Sequence, residues 1–338
     1  MTNRSRIRLF IDQERKWGFP KTFRVGTKIV KSYFFDVPKT IIVEPTSVCN
    51  LNCTFCAPSK INLGRKSKFL NYKIFRKMID DIKKDCWSIL FTFCGEPFLN
   101  KDIYLMIRYA NENGIFTSAS SNMTVFKNLK IINNLIDSGL NHLTVSIDGI
   151  TKKTYELHRV GGNFDLVVGN IRKVVNQKIK KKSITPFLDL QMVVTRQNID
   201  EFAKFSDFAK KVGADGAYLK PLYIDKGMSE DYVKRLEKDL FIERAVTRYL
   251  KEGGETKIKK QTPCDFLDKL VISCDGDVFV CCMDYLGKYQ FGNIGKENLL
   301  DIWRKKKYEK FREEIMKAKK LDICHECVTA ISKTLYSK

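Results

Sequence analysis

Three cysteines stand close together in "EPTSVCNLNCTFCAPSK": Cys49, Cys53 and Cys56, spaced C-x3-C-x2-C. A disulfide uses two thiols, and a closed tetrahedral metal site uses four ligands. Three thiolates on one short turn suit a four-iron cluster with one iron left open to a substrate or cofactor. Zinc with a remote fourth ligand is the other reading, although zinc sites more often show two C-x2-C knuckles and this loop has no histidine. A second group follows near the other end: Cys264, Cys274, Cys281, Cys282, Cys324 and Cys327. The total is 11, an odd number, so complete disulfide pairing within one chain is impossible. The opening "MTNRSRIRLFIDQERKWGFP" carries charges throughout and no apolar signal core. Clustered thiols in such a chain point to metal or iron–sulfur centres and to the cytoplasm.

Something must hold those thiols. With 338 residues, 43% hydrophobic and 30% charged, the chain can bury one large core and a smaller one. No apolar run approaches the ~18 residues that a membrane span needs. Between about residues 40 and 220, strand-like runs alternate with helical patterns. The runs are Thr40–Glu44, Ser88–Phe93, Ile115–Ser120, His142–Ile147, Phe187–Val194 and Ala217–Leu219. Helical spacing falls over Tyr72–Lys84, Ile103–Asn113, Asn128–Ser138, Asp165–Lys178 and Ile199–Val212. Six such units predict an α/β fold: a partial (β/α)6 barrel of parallel strands. Chemistry in such folds sits at the carboxyl ends of the strands. Cys49 follows the first strand, "GEP" (Gly95–Pro97) the second, "SSN" (Ser120–Asn122) the third and "SIDG" (Ser146–Gly149) the fourth.

Beyond residue 225 the pattern changes. One long helical stretch is expected over Ser229–Glu252, then a short β and turn region around "CDGDVFVCC". A final helix over Leu299–Ala318 precedes "CHEC". The expected divisions are an N-terminal extension (1–38), the barrel (39–225), a helical connection (226–259) and a small cysteine-rich α+β domain (260–338).

The net charge is +22, from 61 Lys and Arg against 39 Asp and Glu. An anionic partner is one reading; lysines scattered over most helices, as compositional drift, is the other. The densest basic runs, "NQKIKKKS" and "WRKKKYEKFR", lack the interleaved aromatics of a single-strand nucleic-acid platform, and the second reads as a solvated helix face.

The C-x3-C-x2-C loop after the first strand, with Phe55 just before its last cysteine, resembles the radical S-adenosylmethionine superfamily. Roughly residues 40–225 share the resemblance, with the surrounding motifs in the family's order. It implies a [4Fe-4S] cluster on Cys49, Cys53 and Cys56 whose open iron binds S-adenosylmethionine. One electron, from a donor such as flavodoxin or ferredoxin, then splits the sulfonium bond, and the 5′-deoxyadenosyl radical takes hydrogen from substrate. Gly95, Glu96 and Pro97 match the motif that backs the methionine amino group. Ser121, Asn122 and Ser146 fall where the family contacts ribose or carboxylate; local turn capping is their other reading. Arg159 in "HRVGG" matches an arginine that pairs with the methionine carboxylate, and Leu219 falls where a sixth-strand backbone meets adenine. Asp148 serves equally as a turn cap and is left out of the site.

The C-terminal pattern, "PC", "DGDVFVCC", "GNI", "DIW" and a final C-x2-C, resembles the auxiliary-cluster domains SPASM and twitch. Matching positions make Cys264, Cys282, Cys324 and Cys327 the ligands of one closed auxiliary cluster, with Cys281 the alternative to Cys282 and zinc the alternative metal. Cys274, Cys86 and Cys94 read as core residues. A closed cluster suits electron transfer, which favours oxidation of a sugar, cyclitol or nucleotide-linked small molecule. A peptide-modifying maturase is the runner-up, and a non-catalytic iron–sulfur or zinc protein that binds nucleic acid is the third reading. Tyr155, Gln191, Arg196 and Lys220 are candidates to line the cavity; no residue is singled out as acid or base.

Overall fold

The computed structural model describes residues 26–30, 36–66, 68–225, 227–240, 249–252, 255–258, 264, 267–316 and 333–337. Six parallel strands run side by side in sequence order: β1 (Thr40–Val43), β2 (Ser88–Phe91), β3 (Phe116–Ser121), β4 (His142–Ser146), β5 (Phe187–Val194) and β6 (Gly216–Pro221). Their register is unbroken from Thr40 opposite Ser88 to Val194 opposite Pro221. The sheet is open rather than closed into a barrel.

Helices pack on its outer face: α1 (Tyr72–Ile82), α2 (Ile103–Glu112), α3 (Leu129–Asp137), α4 (Lys152–His158), α5 (Phe164–Lys180) and α6 (Phe205–Val212). Helix α1 shows why. Phe75, Met78, Ile79 and Ile82 recur at helical spacing and are fully buried. Asn71, Asn128 and Asn163 cap α1, α3 and α5, accepting from backbone amides at 2.8–3.0 Å. Ile41 and Val43 of β1 join that core, while Ile42 points to the other face with Val271 and Phe279.

The fifth crossover differs from its expected helix: Ile199–Lys204 is a 3₁₀ turn and only Phe205–Val212 is α-helical. Helix α4, which the sequence reading passed over, is short but capped by Thr151 and carries the site residue Arg159 at its end.

The C-terminal part departs most from expectation. Helix α7 (Glu230–Leu240) ends well before Glu252, and β7 (Tyr249–Glu252) pairs antiparallel with β8 (Glu255–Ile258). The connection is therefore not wholly helical. Strand β9 (Lys269–Ile272) pairs parallel to the outer edge of β1, and β10 (Asp277–Phe279) and β11 (Gln290–Asn293) extend the sheet antiparallel. Strand β12 (Lys333–Ser337) covers the opposite edge, on β6. The C-terminal region thus completes one ten-stranded sheet at both edges instead of standing apart.

The last helix is two: α8 (Leu299–Trp303) and α9 (Lys306–Met316). The "WRKKKYEKFR" run is not simply a solvated face. Trp303 and Tyr308 are buried, and the Arg312 guanidinium stacks 3.9 Å above Trp303 while pairing with Asp36 at 3.1 Å. Among the described residues no helix is long and apolar enough to cross a membrane.

Candidate active site

The cysteine loop leaves the carboxyl end of β1 and is fastened on three sides. On the first, Gly95 sits at φ +71°, and a Cβ there would lie 2.6 Å from the Val48 carbonyl and closer still to that of Thr46. Only glycine lets the "GEP" backbone approach that closely, and the Glu96 amide then donates to Val48 at 2.8 Å. On the second, the Asn122 side-chain amide donates to Asn50 at 3.0 Å, and Asn50 donates to Thr124 at 2.8 Å. On the third, the amides of Asn52 and Thr54 donate to the carbonyls of Val160 and His158, at 2.9 and 3.0 Å. The His158 ring is buried between Thr54 (3.4 Å) and Thr195 (3.0 Å), and Phe55 packs 5.6 Å from it. Burial lowers the His158 pKa, so it acts as a neutral spacer.

Glu96 is almost fully buried, where Pro97 starts a 3₁₀ turn. Its carboxylate accepts from the Asn122 amide (2.7 Å), the Ser121 hydroxyl (2.9 Å) and the Phe98 amide (3.3 Å). Burial pushes its pKa up to about 7, against those three donors. Ser121 and Asn122 are therefore committed to Glu96 and to the cysteine loop. Ser120 and Ser146 instead lie with hydroxyls 3.5 Å apart, at the ends of β3 and β4 on the cavity wall. Pro97 and Leu219 stand back from that wall. Leu219 is in the hydrophobic core, and its neighbours Lys220 and Pro221 line the cavity.

Arg159 enters the cavity from the end of α4. Its guanidinium pairs with Asp148 and lies 3.6 Å from the Cys53 sulfur. Asp148 is fully buried, at φ +53°, and its other oxygen accepts from the Val193 amide at 2.7 Å. Asp148, left out of the expected site, thus lies directly against Arg159. The left-handed backbone is what brings its carboxylate under Arg159, and an Asp before Gly was the available hint. The Nε of Arg159 is buried with no hydrogen-bond partner among the described residues.

A cavity of about 520 Å³ opens in front of these groups. Its lining includes Cys49, Cys53 and Cys56 and also Cys264, Cys281 and Cys282. Cys324 and Cys327 lie outside the described residues. Gln191, Lys220, Tyr223, Asp225 and Tyr285 line it as well. Of the other candidate lining residues, Tyr155 is buried in the core, and neither it nor Arg196 lines the cavity. Asp225 went unnoticed in the sequence. It accepts from the hydroxyls of Tyr285 and Tyr223, the latter at 3.3 Å, and from the Gly227 amide at 2.8 Å. Cys86 and Cys274 are buried, as expected of core residues, and Cys94, also buried, borders the cavity.

The donor set fits an iron–sulfur cluster. All three loop thiols are free, and they share one wall. Among the described residues no three His, Cys, Asp or Glu groups are arranged to hold a single metal ion. Burial raises the Cys49 thiol to about 11 and also raises that of Cys53, which the Arg159 charge counteracts. These thiols thus need positive iron to ionise.

Comparison with known proteins decides the family. A model of the radical SAM superfamily matches residues 43–209, and one of SPASM, an iron–sulfur cluster-binding domain, matches residues 264–328. The chain belongs to the radical SAM superfamily. As a radical SAM protein with a SPASM segment, it carries a [4Fe-4S] cluster, S-adenosylmethionine and auxiliary iron–sulfur. It is 26% identical over 233 residues to the AdoMet-dependent heme synthase of Methanosarcina barkeri, covering 68% of this chain and 62% of that protein. It is 24% identical over 301 residues to the tungsten-containing aldehyde ferredoxin oxidoreductase cofactor-modifying protein of Pyrococcus furiosus, covering 81% and 83%. Its fold is similar to that of Streptococcus suis SuiB bound to S-adenosylmethionine, with TM-score 0.62 and 16% identity, over 90% of this chain and 76% of that one. SuiB bound to its precursor peptide SuiA gives TM-score 0.59 at 16% identity, over 86% of this chain and 70% of that one.

Proposed function

We propose that this radical SAM protein is an enzyme that oxidises a small hydroxylated molecule, a sugar, cyclitol or nucleotide-linked compound, inside the cavity between its two groups of thiols. The observation that carries the reading is that cavity: about 520 Å³, lined both by Cys49, Cys53 and Cys56 and by Cys264, Cys281 and Cys282. That volume suits a small molecule. The bound cluster and S-adenosylmethionine supply a 5′-deoxyadenosyl radical that removes one hydrogen atom from substrate. Cys264 and Cys282, with Cys324 and Cys327, would hold the centre that takes the second electron.

This chain's own residues do the rest. Glu96 offers a carboxylate to the methionine ammonium, and that positive charge favours its ionised form. Arg159, already compensated by Asp148, faces the methionine carboxylate, and its unpaired Nε gives it a donor to spare. Ser120 and Ser146 present hydroxyls to the ribose. Asp225 is placed to receive the proton that a hydroxyl loses when its carbon is oxidised, with Tyr285 and Tyr223 steadying the carboxylate.

A peptide is the second reading, favoured by the SuiB structure with its precursor peptide bound. The test is anaerobic incubation of reduced protein with S-adenosylmethionine, first alone and then with pools of polyols, nucleotide-sugars or peptides. Formation of 5′-deoxyadenosine, rising with a polyol or nucleotide-sugar pool that loses two hydrogens, is the expected result. No 5′-deoxyadenosine under any condition sinks the enzyme reading, and stimulation by peptides alone replaces the substrate class.

A further inference from the structure

We propose that Glu44 and Arg65 form a buried clasp that sets the Cys49–Cys56 loop in shape and joins it to the turn that leads into Cys281 and Cys282. The proposal rests on the cluster reading of those thiols, and the residues are positioning residues rather than catalytic ones.

Glu44 follows directly on β1 and has no exposure; the side chain of Arg65 is 14% exposed. The guanidinium grips the carboxylate with both terminal nitrogens, at 2.5 and 2.6 Å. This two-point geometry is directional in a way that a lysine contact is not. Everything between the two residues is the cysteine loop, so the ion pair closes it at the base. The strap after Arg65 then runs back along residues 45–47. The Thr46 hydroxyl donates to the Lys68 carbonyl at 2.7 Å, the Leu70 amide donates to the Pro45 carbonyl at 2.9 Å, and Thr46 bridges Phe69.

The same carboxylate takes a third donor from outside the loop, the Cys274 backbone amide at 2.9 Å. Arg65 also reaches the Cys274 sulfur, at 3.4 Å. Cys274 sits in the Ser273–Asp277 turn that starts β10, and β10 runs straight into Val280, Cys281 and Cys282. A single buried ion pair therefore touches the base of one thiol group and the root of the other. This gives Cys274 a place without making it a ligand. The nearby Lys68–Asp275 pair spans the same gap, but the Lys68 side chain is 54% exposed, where ion pairs contribute little.

A loop held in its binding shape needs less ordering when the cluster and S-adenosylmethionine arrive. Outer residues that hold metal ligands characteristically change affinity about 10–100-fold when removed. Both readouts are available without knowing the substrate. Full-length wild type, Arg65→Met, Glu44→Gln and the double variant would be purified without oxygen. Iron and sulfide per chain would be measured, and S-adenosylmethionine would be titrated against the electron paramagnetic resonance spectrum of the reduced protein.

The expected result for Arg65→Met is loss of barrel-cluster iron, or about tenfold or more weaker S-adenosylmethionine binding, with auxiliary iron retained. The double variant should recover part of the loss, because neither partner is left as a lone buried charge. Single variants that match wild type in both readouts overturn the clasp. If Arg65→Met does not fold, Arg65→Lys decides: full iron with weaker S-adenosylmethionine binding supports the clasp, and unchanged binding overturns it. A wild-type spectrum indifferent to S-adenosylmethionine would instead remove the reading of the thiols, and the clasp with it.

Discussion

The two thiol groups that line the cavity are built in opposite ways. Cys49, Cys53 and Cys56 belong to one loop, closed at its base by Glu44–Arg65 and pinned by Gly95, Asn122 and the carbonyls of His158 and Val160. Cys281 and Cys282 are neighbours on a turn just after β10, one half-buried and one exposed, while Cys264 comes from the far side of β9. The difference teaches what each centre demands. An iron left open for a cofactor needs its remaining ligands aimed in advance, because the cofactor must find a fixed site. A centre closed by four thiolates can gather ligands from distant segments, since metal binding itself supplies the organising energy.

Replacing ligands should separate the two groups most sharply. With Cys49, Cys53 and Cys56 all changed to alanine, iron should fall from about eight to about four per chain, and 5′-deoxyadenosine formation should vanish. With Cys264 and Cys282 changed to alanine, iron should also fall to about four. That variant should keep the spectral response to S-adenosylmethionine. Equal loss of that response in both would break the contrast.

Gly95→Ala tests the preset loop without touching a ligand. At φ +71° the new methyl group meets two carbonyls, which should lower stability by about 2–4 kcal/mol. Barrel iron should fall while auxiliary iron stays. An unchanged melting temperature with full iron would show that the loop is not held as tightly as described.

Glu96 gives a pH signature. Its folded pKa of about 7 stands well above the ordinary glutamate range because of burial. The stability linked to this raised acid is complete below the unfolded value and is lost as pH rises through about 7. For the cluster-free protein the loss should be on the order of 3 kcal/mol, and Glu96→Gln should remove it. Denaturant melts of both proteins between pH 5 and 8 would check this. Parallel curves would mean that Asn122 and Ser121 hold the carboxylate ionised throughout.

The smallest effect should come from a cysteine outside both groups. Cys86 is buried, with its thiol 3.3 Å from the Ser88 carbonyl. Cys86→Ala should cost about 1–2 kcal/mol of stability and leave iron at the wild-type level. Lost iron would mean that the thiols are less sharply divided between structure and ligation.

Much of the barrel side was legible in the sequence because local patterns coincide with tertiary demands. Ile74, Met78, Ile79 and Ile82 mark their helix by spacing alone, Cys49 and Glu96 follow strands, and Ser146 ends one. What escaped depended on partners far along the chain. Asp148 before Gly149 hints at a left-handed turn but not that Arg159 will lie over it, and Asp225 gives no sign that Tyr285 will donate to it. Glu44 looks like a strand-end carboxylate until Arg65 and Cys274 close on it. Edge pairing escaped for the same reason: nothing in "KLVI" names β1 as its neighbour.

That edge pairing bears on how the protein is made. The strand that precedes the cysteine loop leaves the ribosome well before its outer edge is covered by Lys269–Ile272, and β6 waits for Lys333–Ser337. During synthesis both borders of the nascent sheet present unmatched backbone groups, a template for association with other chains. Translation speed and chaperone cover between β6 and β12 therefore bear on yield, and a fragment cut after the barrel would carry two uncovered edges.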